Sequence, residues 1–214
     1  MPTNGLSVGE LVSIKICRVK DMSKMGKDYH IILASNSPRR KELLARLDLD
    51  FEVKVVEGVS ESYPAGLPVM DIAEYIAAEK AAAYKDMLGG SNLVITADTV
   101  VIVDGEVLGK PKDMEGAKLM LRKLSGKTHH VVTGVCLTTE VRQRRFSVVT
   151  DVVFKELTDG EINYYVEKYK PLDKAGAYGI QEWIGYIGVT LITGSFFNVM
   201  GLPVQRIYEE LLKF

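Results

Sequence analysis

The chain has few of the residues that build disulfide scaffolds, zinc fingers or membrane spans. Its 214 residues include two cysteines, Cys17 and Cys136, which provide neither a disulfide framework nor zinc-binding spacing. Such sparse cysteine usage is typical of the reducing cytosol, so we expect a cytoplasmic protein. No apolar run approaches the roughly 18 residues that a transmembrane helix requires. We therefore expect no membrane partner.

An excess of charge of one sign is also missing. The 27 Lys and Arg residues nearly balance the 28 Asp and Glu residues, which leaves a net charge of −1 at pH 7. A chain so close to neutrality has no overall positive field to attract nucleic acid, and we expect no nucleic-acid partner. The G-x-G-x-x-G, Walker A and HExxH patterns are absent as well. No single well-known motif therefore assigns a function.

The chain does have enough apolar residues, 47%, for one domain with a substantial core. From His30 onward, apolar strand-like runs alternate with helical patterns, which predicts an α/β domain over residues 28–214. Residues 1–27 look unlike the rest. We predict that they form a mobile or non-native N-terminal tail.

Local signals predict several elements of this domain. Asp104-Gly105 between two apolar runs predicts a β-hairpin. Thr158 to Glu161 has the spacing of a capping box and predicts the start of a helix. Residues 69–84 carry apolar side chains at helical spacing. Near the C-terminus, the runs 184–192 and 196–199 are predicted to pair as strands.

The most informative stretch is residues 35–40, SNSPRR, which lies between an apolar strand pattern and a leucine-rich helical pattern. Ser37 is a good N-cap, and Pro38 suits the first helical position. Arg39 and Arg40 in the first turn oppose the helix dipole, a conflict that a bound anion would relieve by accepting hydrogen bonds from both. The stretch therefore predicts a phosphate-type site. A solvated basic helix start is the alternative.

Three further charged residues are candidates for chemistry. Asp98 directly follows an apolar strand, so we place it at a strand's carboxyl end, where open α/β sheets form their ligand crevice. It could hold Mg²⁺ or orient a water, or it could merely cap a turn. Lys110, in the stiff corner GKP, is either a placed charge or a surface lysine. Lys80 lies within an apolar helix face and reaches either a phosphate or the solvent at the rim.

A glycine-rich loop, residues 173–181 with the sequence DKAGAYGIQ, combines small residues with donors and acceptors. Gln181 could present its amide to a base, while an ordinary surface connection is the alternative. His129 and His130 are adjacent in a strand pattern and point to opposite faces, so they cannot jointly bind a metal. We interpret both histidines as structural.

Taken together, these motifs resemble the Maf family of nucleotide pyrophosphatases over nearly the whole chain from Tyr29 to Phe214. The segments that carry the resemblance are residues 34–44, 97–100, 109–111, 124–129, 173–181 and 198–203. The resemblance implies an α/β fold like that of the inosine-triphosphate pyrophosphatases, a mixed twisted sheet with flanking helices and two lobes around a deep cleft. It also implies hydrolysis of nucleoside triphosphates to monophosphate and pyrophosphate, a divalent cation (Mg²⁺ or Mn²⁺), and a possible homodimer.

The resemblance also implies roles for individual residues. The implied catalytic residues are Arg39, Lys80, Asp98 and Lys110; the implied substrate-binding residues are Ser35, Ser37, Arg40, Thr99, Lys174 and Gln181; the implied metal ligands are Asp98 and Glu61. Asp98-Thr99 together with Ile180-Gln181 resembles the subgroup that acts on dTTP and UTP. The alternatives are a pyrophosphatase for modified nucleotides such as 7-methyl-GTP, and a nucleotide-binding regulator of septum formation without catalysis.

Two positions depart from the family pattern. Where the family commonly has two adjacent acids after its second strand, this chain has Ser60 and then Glu61. Glu182-Trp183 replaces the small residues that usually follow Gln181. The first departure puts one metal ligand in doubt, and the second predicts a different pocket rim.

Overall fold

The computed structural model describes residues 29–214, so the tail predicted for residues 1–27 lies outside the described residues. Within this range the strands are β1 His30–Leu33, β2 Phe51–Val53, β3 Asn92–Val103, β4 Glu106–Leu108, β5 Thr128–Thr138, β6 Gln143–Phe154 and β7 Val189–Thr193. The α-helices are α1 Pro38–Ala45, α2 Ile72–Ala82, α3 Met114–Leu124, α4 Asp159–Tyr169, α5 Trp183–Gly188, α6 Phe196–Met200 and α7 Val204–Leu211. Every one of these helices falls short of the length and apolar content that a bilayer crossing requires.

The described strands form one mixed sheet. Its order is β2-β1-β3-β5-β6-β7, and β4 pairs with β3 outside that path. β1 runs parallel to both β2 and β3, whereas the other pairings are antiparallel. Helices flank this sheet, with α2 packed on β3 and β5. The predicted α/β fold with a mixed sheet and flanking helices is confirmed.

The long strand β3 has a gap along one edge. On that edge β1 pairs with residues 92–95, and β4 pairs with residues 101–103. The opposite edge is paired with β5 from Val94 to Ile102. Among the strands of residues 29–214, none lies beside residues 96–100 on the first edge. Since α1 begins just after β1 ends, its N-terminal turn lies next to this gap.

Two large apolar clusters lie on either side of the gap. One joins the distal part of β3 to α3, α4 and α5, with Val101 and Tyr178 among its buried residues. The other joins β1 and the first half of β3 to α1 and α7, with Ala97 among its members. The same three residues line one pocket. The pocket thus lies between two separately packed regions, which is the arrangement that the predicted cleft between two lobes requires.

Several local predictions are confirmed. Ser37 caps α1, because its Oγ accepts a hydrogen bond from the N–H of Arg40, and Pro38 follows as the first helical residue. Asp104 and Gly105 both have positive φ angles, 52° and 77°, in the turn between β3 and β4. The capping box of α4 is complete, with Thr158 and Glu161 exchanging hydrogen bonds.

Three predictions are corrected. Asp98 does not lie at a strand's carboxyl end, because β3 continues through it to Val103. The run 184–192 begins as α5 and becomes a strand only at Val189, and the run 196–199 is helical. Short apolar runs fit a buried helix as well as a strand, and tertiary packing decides between them. At Gly185, for example, a Cβ would lie 1.8 Å from the carbonyl oxygen of Ile180. Helix α5 therefore depends on a close approach of Gly185 to that carbonyl.

Candidate active site

A pocket of about 630 Å³ lies at the gap in β3. Its lining includes all eleven site residues predicted from the sequence: Ser35, Ser37, Arg39, Arg40, Glu61, Lys80, Asp98, Thr99, Lys110, Lys174 and Gln181. Several segments contribute, chiefly the loop before α1, the loop after β2, α2, the middle of β3 and the 173–181 loop. Residues that lie up to 146 positions apart in sequence are thereby brought together.

At the centre of the pocket, one lysine joins two carboxylates. The Nζ atom of Lys80 lies 2.7 Å from Oδ1 of Asp98 and 2.7 Å from Oε1 of Glu61. The side chains of Lys80 and Asp98 are only 15% and 12% exposed. Asp98 lies in the stretch of β3 that is unpaired on one edge, and Lys80 lies near the C-terminal end of α2, which packs on the same strand. Lys80 therefore reaches the pocket and not the solvent at the rim.

Glu61 connects this pair to Lys110. Its Oε2 lies 3.5 Å from Nζ of Lys110, which is more exposed than Lys80. Partial burial favours a raised pKa for Glu61, but the hydrogen bond and charge of Lys80, together with Lys110, outweigh it and lower the pKa. The preceding Ser60 bonds to Ser62 on the exposed surface. Glu61 is therefore the acid of this loop that pairs with Lys80 and Lys110.

Arg39 and the loop before α1 form the second part of the site. The Nη1 atom of Arg39 lies 2.7 Å from Oδ2 of Asp173. The backbone N–H groups of Asn36 and Arg39 donate to no protein acceptor within residues 29–214. Because they lie at the N-terminal end of α1, they provide free donors at the positive end of a helix dipole. This corner of the pocket is suited to an anion.

Arg40 is held by the protein itself. It donates from Nε to the carbonyl of Gly201 at 2.8 Å, from Nη1 to the carbonyl of Ala97 at 2.8 Å, and from Nη2 to Oγ1 of Thr99 at 3.0 Å. Burial lowers the pKa of its guanidinium, an effect that the charge of Asp98 opposes. These bonds fasten α1 to the unpaired edge of β3. Substrate binding by Arg40 stays a prediction, while its contacts show how it positions the residues beside Asp98.

Thr99 and Gln181 differ in how much of their hydrogen-bonding capacity the protein uses. Thr99 is engaged with Arg40 and, at 3.0 Å, with Thr133. The Oε1 atom of Gln181 is buried and has no partner among the described residues. A buried amide oxygen without a partner is costly unless a ligand supplies a donor. Recognition of a base stays a prediction for both residues, and Gln181 is the one of the two with an unused buried acceptor.

The charged residues that line the pocket indicate whether a divalent metal ion fits there. Five cations line it, Arg39, Arg40, Lys80, Lys110 and Lys174, beside four carboxylates, Glu57, Glu61, Asp98 and Asp173. This near balance does not neutralise a triphosphate, so an added cation fits the site. Asp98 and Glu61 could hold it, because Mg²⁺ is commonly bound by one or two carboxylates together with substrate phosphates. No cluster of three or more protein ligands occurs in residues 29–214.

Comparison with known proteins decides the family. The sequence model of the family described as Maf-like protein matches residues 30–214. This chain belongs to the Maf-like family. The resemblance read from the motifs is thereby confirmed, and the pocket described above is the candidate active site of a Maf-like protein.

Similar proteins are known from several bacteria. A Phocaeicola vulgatus protein named dTTP/UTP pyrophosphatase is 62% identical over 185 residues, covering 86% of this chain and 96% of that protein. A Bacteroides thetaiotaomicron protein of the same name is 60% identical, with the same coverage. Among solved structures, a HAM1 protein from Coxiella burnetii matches 87% of this chain and 100% of its own at 15% identity, with a TM-score of 0.46.

Sequence reasoning assigned no role to Asp173 of this pocket, nor a partner to Glu182 beside it. Asp173 bonds to Arg39 and, at 2.8 Å, to Lys174. Its partial burial favours a raised pKa, but the bonds from Lys174 and Arg39 outweigh it and lower the pKa to about 2. Glu182 lies 3.1 Å from Lys174 on the other side. The acid–base–acid pattern across the loop was visible in the sequence, but which charges meet depends on how the loop folds.

Behind the pocket, the Maf-like fold buries a neutral histidine. The ring of His129 is fully buried, and its Nε2 lies 2.8 Å from the hydroxyl of the pocket residue Tyr178. Burial lowers the pKa of His129 from 6.5 to about 4, and the nearby His130 adds to the effect. The histidine is thus structural, as the sequence indicated, and it orients a residue of the pocket wall.

This histidine makes stability depend on pH in a definite direction. Between about pH 6.5 and pH 4 the unfolded chain binds a proton at His129 that the folded chain does not, so stability decreases as pH falls through this window. The full loss from this group is about 3 kcal/mol. In His129→Gln we expect the decrease in unfolding free energy from pH 7.5 to 4.5, measured with urea, to be smaller by up to that amount. Identical decreases in the two proteins would contradict the assignment.

Proposed function

We propose that this Maf-like protein hydrolyses dTTP and UTP to the nucleoside monophosphate and pyrophosphate. The observation that carries the proposal is the Asp98–Lys80–Glu61 cluster, set in one pocket with free helix N–H groups and the unpartnered amide oxygen of Gln181. The relatives at 62% and 60% identity bear the name dTTP/UTP pyrophosphatase. Each of these relatives aligns with 86% of this chain.

In the proposed reaction Asp98 orients a water molecule and accepts its proton. The water oxygen bonds to the α-phosphorus, the bond from that phosphorus to the α–β bridging oxygen breaks, and pyrophosphate leaves with the electron pair of that bond. A divalent cation such as Mg²⁺, held by Asp98 and Glu61, would neutralise charge on the phosphate oxygens. The side chain of Asp98 is only 12% exposed, which limits the access of bulk water to its carboxylate.

Three cations of the protein are placed to bind the triphosphate. Lys80 bonds to two carboxylates, Lys110 reaches one of them, and Arg39 bonds to the exposed carboxylate of Asp173. Each ammonium or guanidinium group has donors left for phosphate oxygens. With the N–H groups of Asn36 and Arg39, they make a cradle for negative charge that develops on the leaving pyrophosphate.

Gln181 is the proposed reader of the base. Uracil and thymine share a carbonyl and an N–H on the same edge, which an amide can match with its donor and acceptor. Cytosine presents the reverse pattern on that edge, so an amide held in one orientation matches uracil and thymine but not cytosine. When an amide pairs with both groups, the matching base is favoured over a mismatched base by about 1–3 kcal/mol.

The experiment that tests the proposed activity is pyrophosphate release from purified protein with Mg²⁺. The panel contains dTTP, UTP, CTP, the purine triphosphates and 7-methyl-GTP. Selective turnover of dTTP and UTP is the expected result. Turnover of 7-methyl-GTP alone would overturn the substrate assignment, and nucleotide binding without any turnover would identify a regulator instead of an enzyme.

The role of Gln181 is tested with Gln181→Ala. We expect KM for dTTP and UTP to increase roughly tenfold, while kcat changes little, because the lost interaction binds the base and not the reacting phosphate. Gln205→Ala is the matched control, since Gln205 lies exposed on α7 and bonds to Glu209. Steady-state kinetics on dTTP, UTP and CTP provide the measurement. Equal losses on all three substrates would rule out base recognition by Gln181.

A further inference from the structure

The carboxylate of Glu182 is fully engaged although it makes no contact with the Asp98 cluster. Its side chain is 20% exposed. Its Oε1 lies 3.1 Å from Nζ of Lys174, and its Oε2 accepts a hydrogen bond from the hydroxyl of Tyr165. Glu182 directly follows Gln181 in the sequence and is the residue before α5. A carboxylate with a bond on each oxygen holds the end of the loop that carries Gln181.

The Tyr165 hydroxyl is a fixed point for this loop. Tyr165 lies on α4, is fully buried, and stacks on Tyr169 with ring centroids 5.0 Å apart. Besides donating to Glu182, its oxygen accepts a hydrogen bond of 3.0 Å from the N–H of Gly179. The loop is therefore held at two points, by the backbone N–H of Gly179 before Gln181 and by the side chain of Glu182 after it. Both groups bond to the hydroxyl of Tyr165 on α4.

Gly179 and Glu182 also pack closely against each other. A Cβ built on Gly179 would lie 2.8 Å from the Cδ atom of Glu182, so the carboxylate packs directly over the glycine. The loop thus folds back on itself around this side chain. Any shift of Glu182 would also shift the peptide that supports Gln181.

On its other side, Glu182 is linked to the phosphate end of the pocket. Lys174 is 9% exposed, and its Nζ also lies 2.8 Å from Oδ1 of Asp173. The second oxygen of Asp173 bonds to Arg39 at 2.7 Å. Ion pairs therefore connect Arg39 to Glu182 through Asp173 and Lys174, with positive and negative groups in alternation. Asp173 and Glu182 both pair with Lys174, which lies between them. Removing either acid leaves the nearly buried ammonium group of Lys174 with one partner fewer.

We propose that Glu182 is a positioning residue for base selection, which fixes Gln181 by holding Lys174 and Tyr165. The proposal rests on the proposed function, because it assigns the recognition of uracil and thymine to this part of the pocket. Among the described residues, the Glu182 carboxylate contacts Lys174 and Tyr165 and not the Asp98–Lys80–Glu61 cluster, to which the chemistry is assigned. Its loss therefore weakens the binding of the preferred bases without slowing the chemical step.

Two variants test the proposal through different contacts. Glu182→Gln keeps the size of the side chain but removes the charge that Lys174 requires. Tyr165→Phe keeps the buried ring but removes the hydroxyl to which Gly179 and Glu182 are tied. In both we expect KM for dTTP and UTP to increase by about tenfold, with kcat within about twofold of wild type and kcat/KM for CTP unchanged. Tyr164→Phe is the matched control, since Tyr164 is an exposed tyrosine on the same helix that bonds to Lys168.

A binding measurement separates this inference from the proposed activity. The affinities of α,β-imido-dUTP and α,β-imido-dCTP, which are not cleaved at the α–β position, are measured by calorimetry with Mg²⁺ present. The inference predicts that the preference for the uracil compound falls about tenfold in both variants and is retained in Tyr164→Phe. An unchanged preference in either folded variant, or equal weakening of both ligands, would overturn it. Failure of the wild type to release pyrophosphate from any substrate would overturn the proposed activity alone, because binding is measured without turnover.

Discussion

Asp98→Asn is expected to lower kcat on dTTP and UTP by a factor of about 10² to 10⁴. That range is typical for the loss of a general base, and asparagine retains the size of the side chain while losing the ability to accept a proton. The change also removes one of the two carboxylates that bond to Lys80, so Lys80 is left with Glu61. Steady-state release of pyrophosphate, measured with Mg²⁺ over a range of substrate concentrations, gives kcat and KM separately.

A matched change elsewhere controls for a general effect of replacing an acid. Asp104 has a positive φ angle in the turn between β3 and β4 and pairs with Lys127 on the surface. Asparagine accepts that backbone conformation, so Asp104→Asn is expected to keep wild-type kinetics. If Asp98→Asn keeps most of its activity while folding normally, Asp98 is not the base. A loss confined to KM would instead indicate a role in binding.

Gly134→Ala is expected to destabilise the fold by about 3 kcal/mol or more. Gly134 lies in β5, where a Cβ would be 2.2 Å from the backbone nitrogen of Glu74 and 2.3 Å from the carbonyl oxygen of Ala73. Those atoms belong to α2, and a backbone contact cannot be relieved by rotating a side chain. Either the helix moves away from the sheet or the strand bends, and such overpacking is costly.

The same substitution should also reduce activity, because α2 carries Lys80 into the pocket. A displacement of about 1 Å in a catalytic group can lower kcat by about 10²-fold. Urea unfolding monitored by circular dichroism measures the stability, and pyrophosphate release measures the activity. Gly160→Ala, in the first turn of α4, is the control, since the nearest atom to its Cβ would be 3.9 Å away. This variant should gain about 0.5 kcal/mol, whereas destabilisation of both variants by the same amount would contradict the steric explanation.

The elements that the sequence predicted well depend on residues within about four positions of one another. The cap of α1 needs only Ser37 and Pro38, the hairpin needs only Asp104-Gly105, and the capping box needs Thr158 and Glu161. In each case the side chain or the backbone angle acts on its own neighbours. The competing influence of tertiary packing is small there, so the local signal survives folding.

The elements that the sequence predicted wrongly depend on distant contacts. The run 184–192 contains the β-branched and apolar residues typical of a strand, yet its first part is α5 because Gly185 packs against the carbonyl of Ile180. The run 196–199 is helical and contributes the fully buried Asn198, whose amide bonds to the carbonyls of Val131 and Val148. Packing outweighs the weak intrinsic preference of such short segments.

For the site, every position that the sequence predicted lines the pocket, while Glu57 and Asp173 line it as well without having been predicted. The sequence by itself did not determine how these residues are paired. Only the tertiary structure placed Lys80 between Asp98 and Glu61, used Arg40 to fasten β3, and linked Arg39 to Glu182 through Asp173 and Lys174. The reason is physical: residue types and short spacings are properties of the chain, whereas ion pairs between residues far apart in sequence form only when the sheet and the helices have packed.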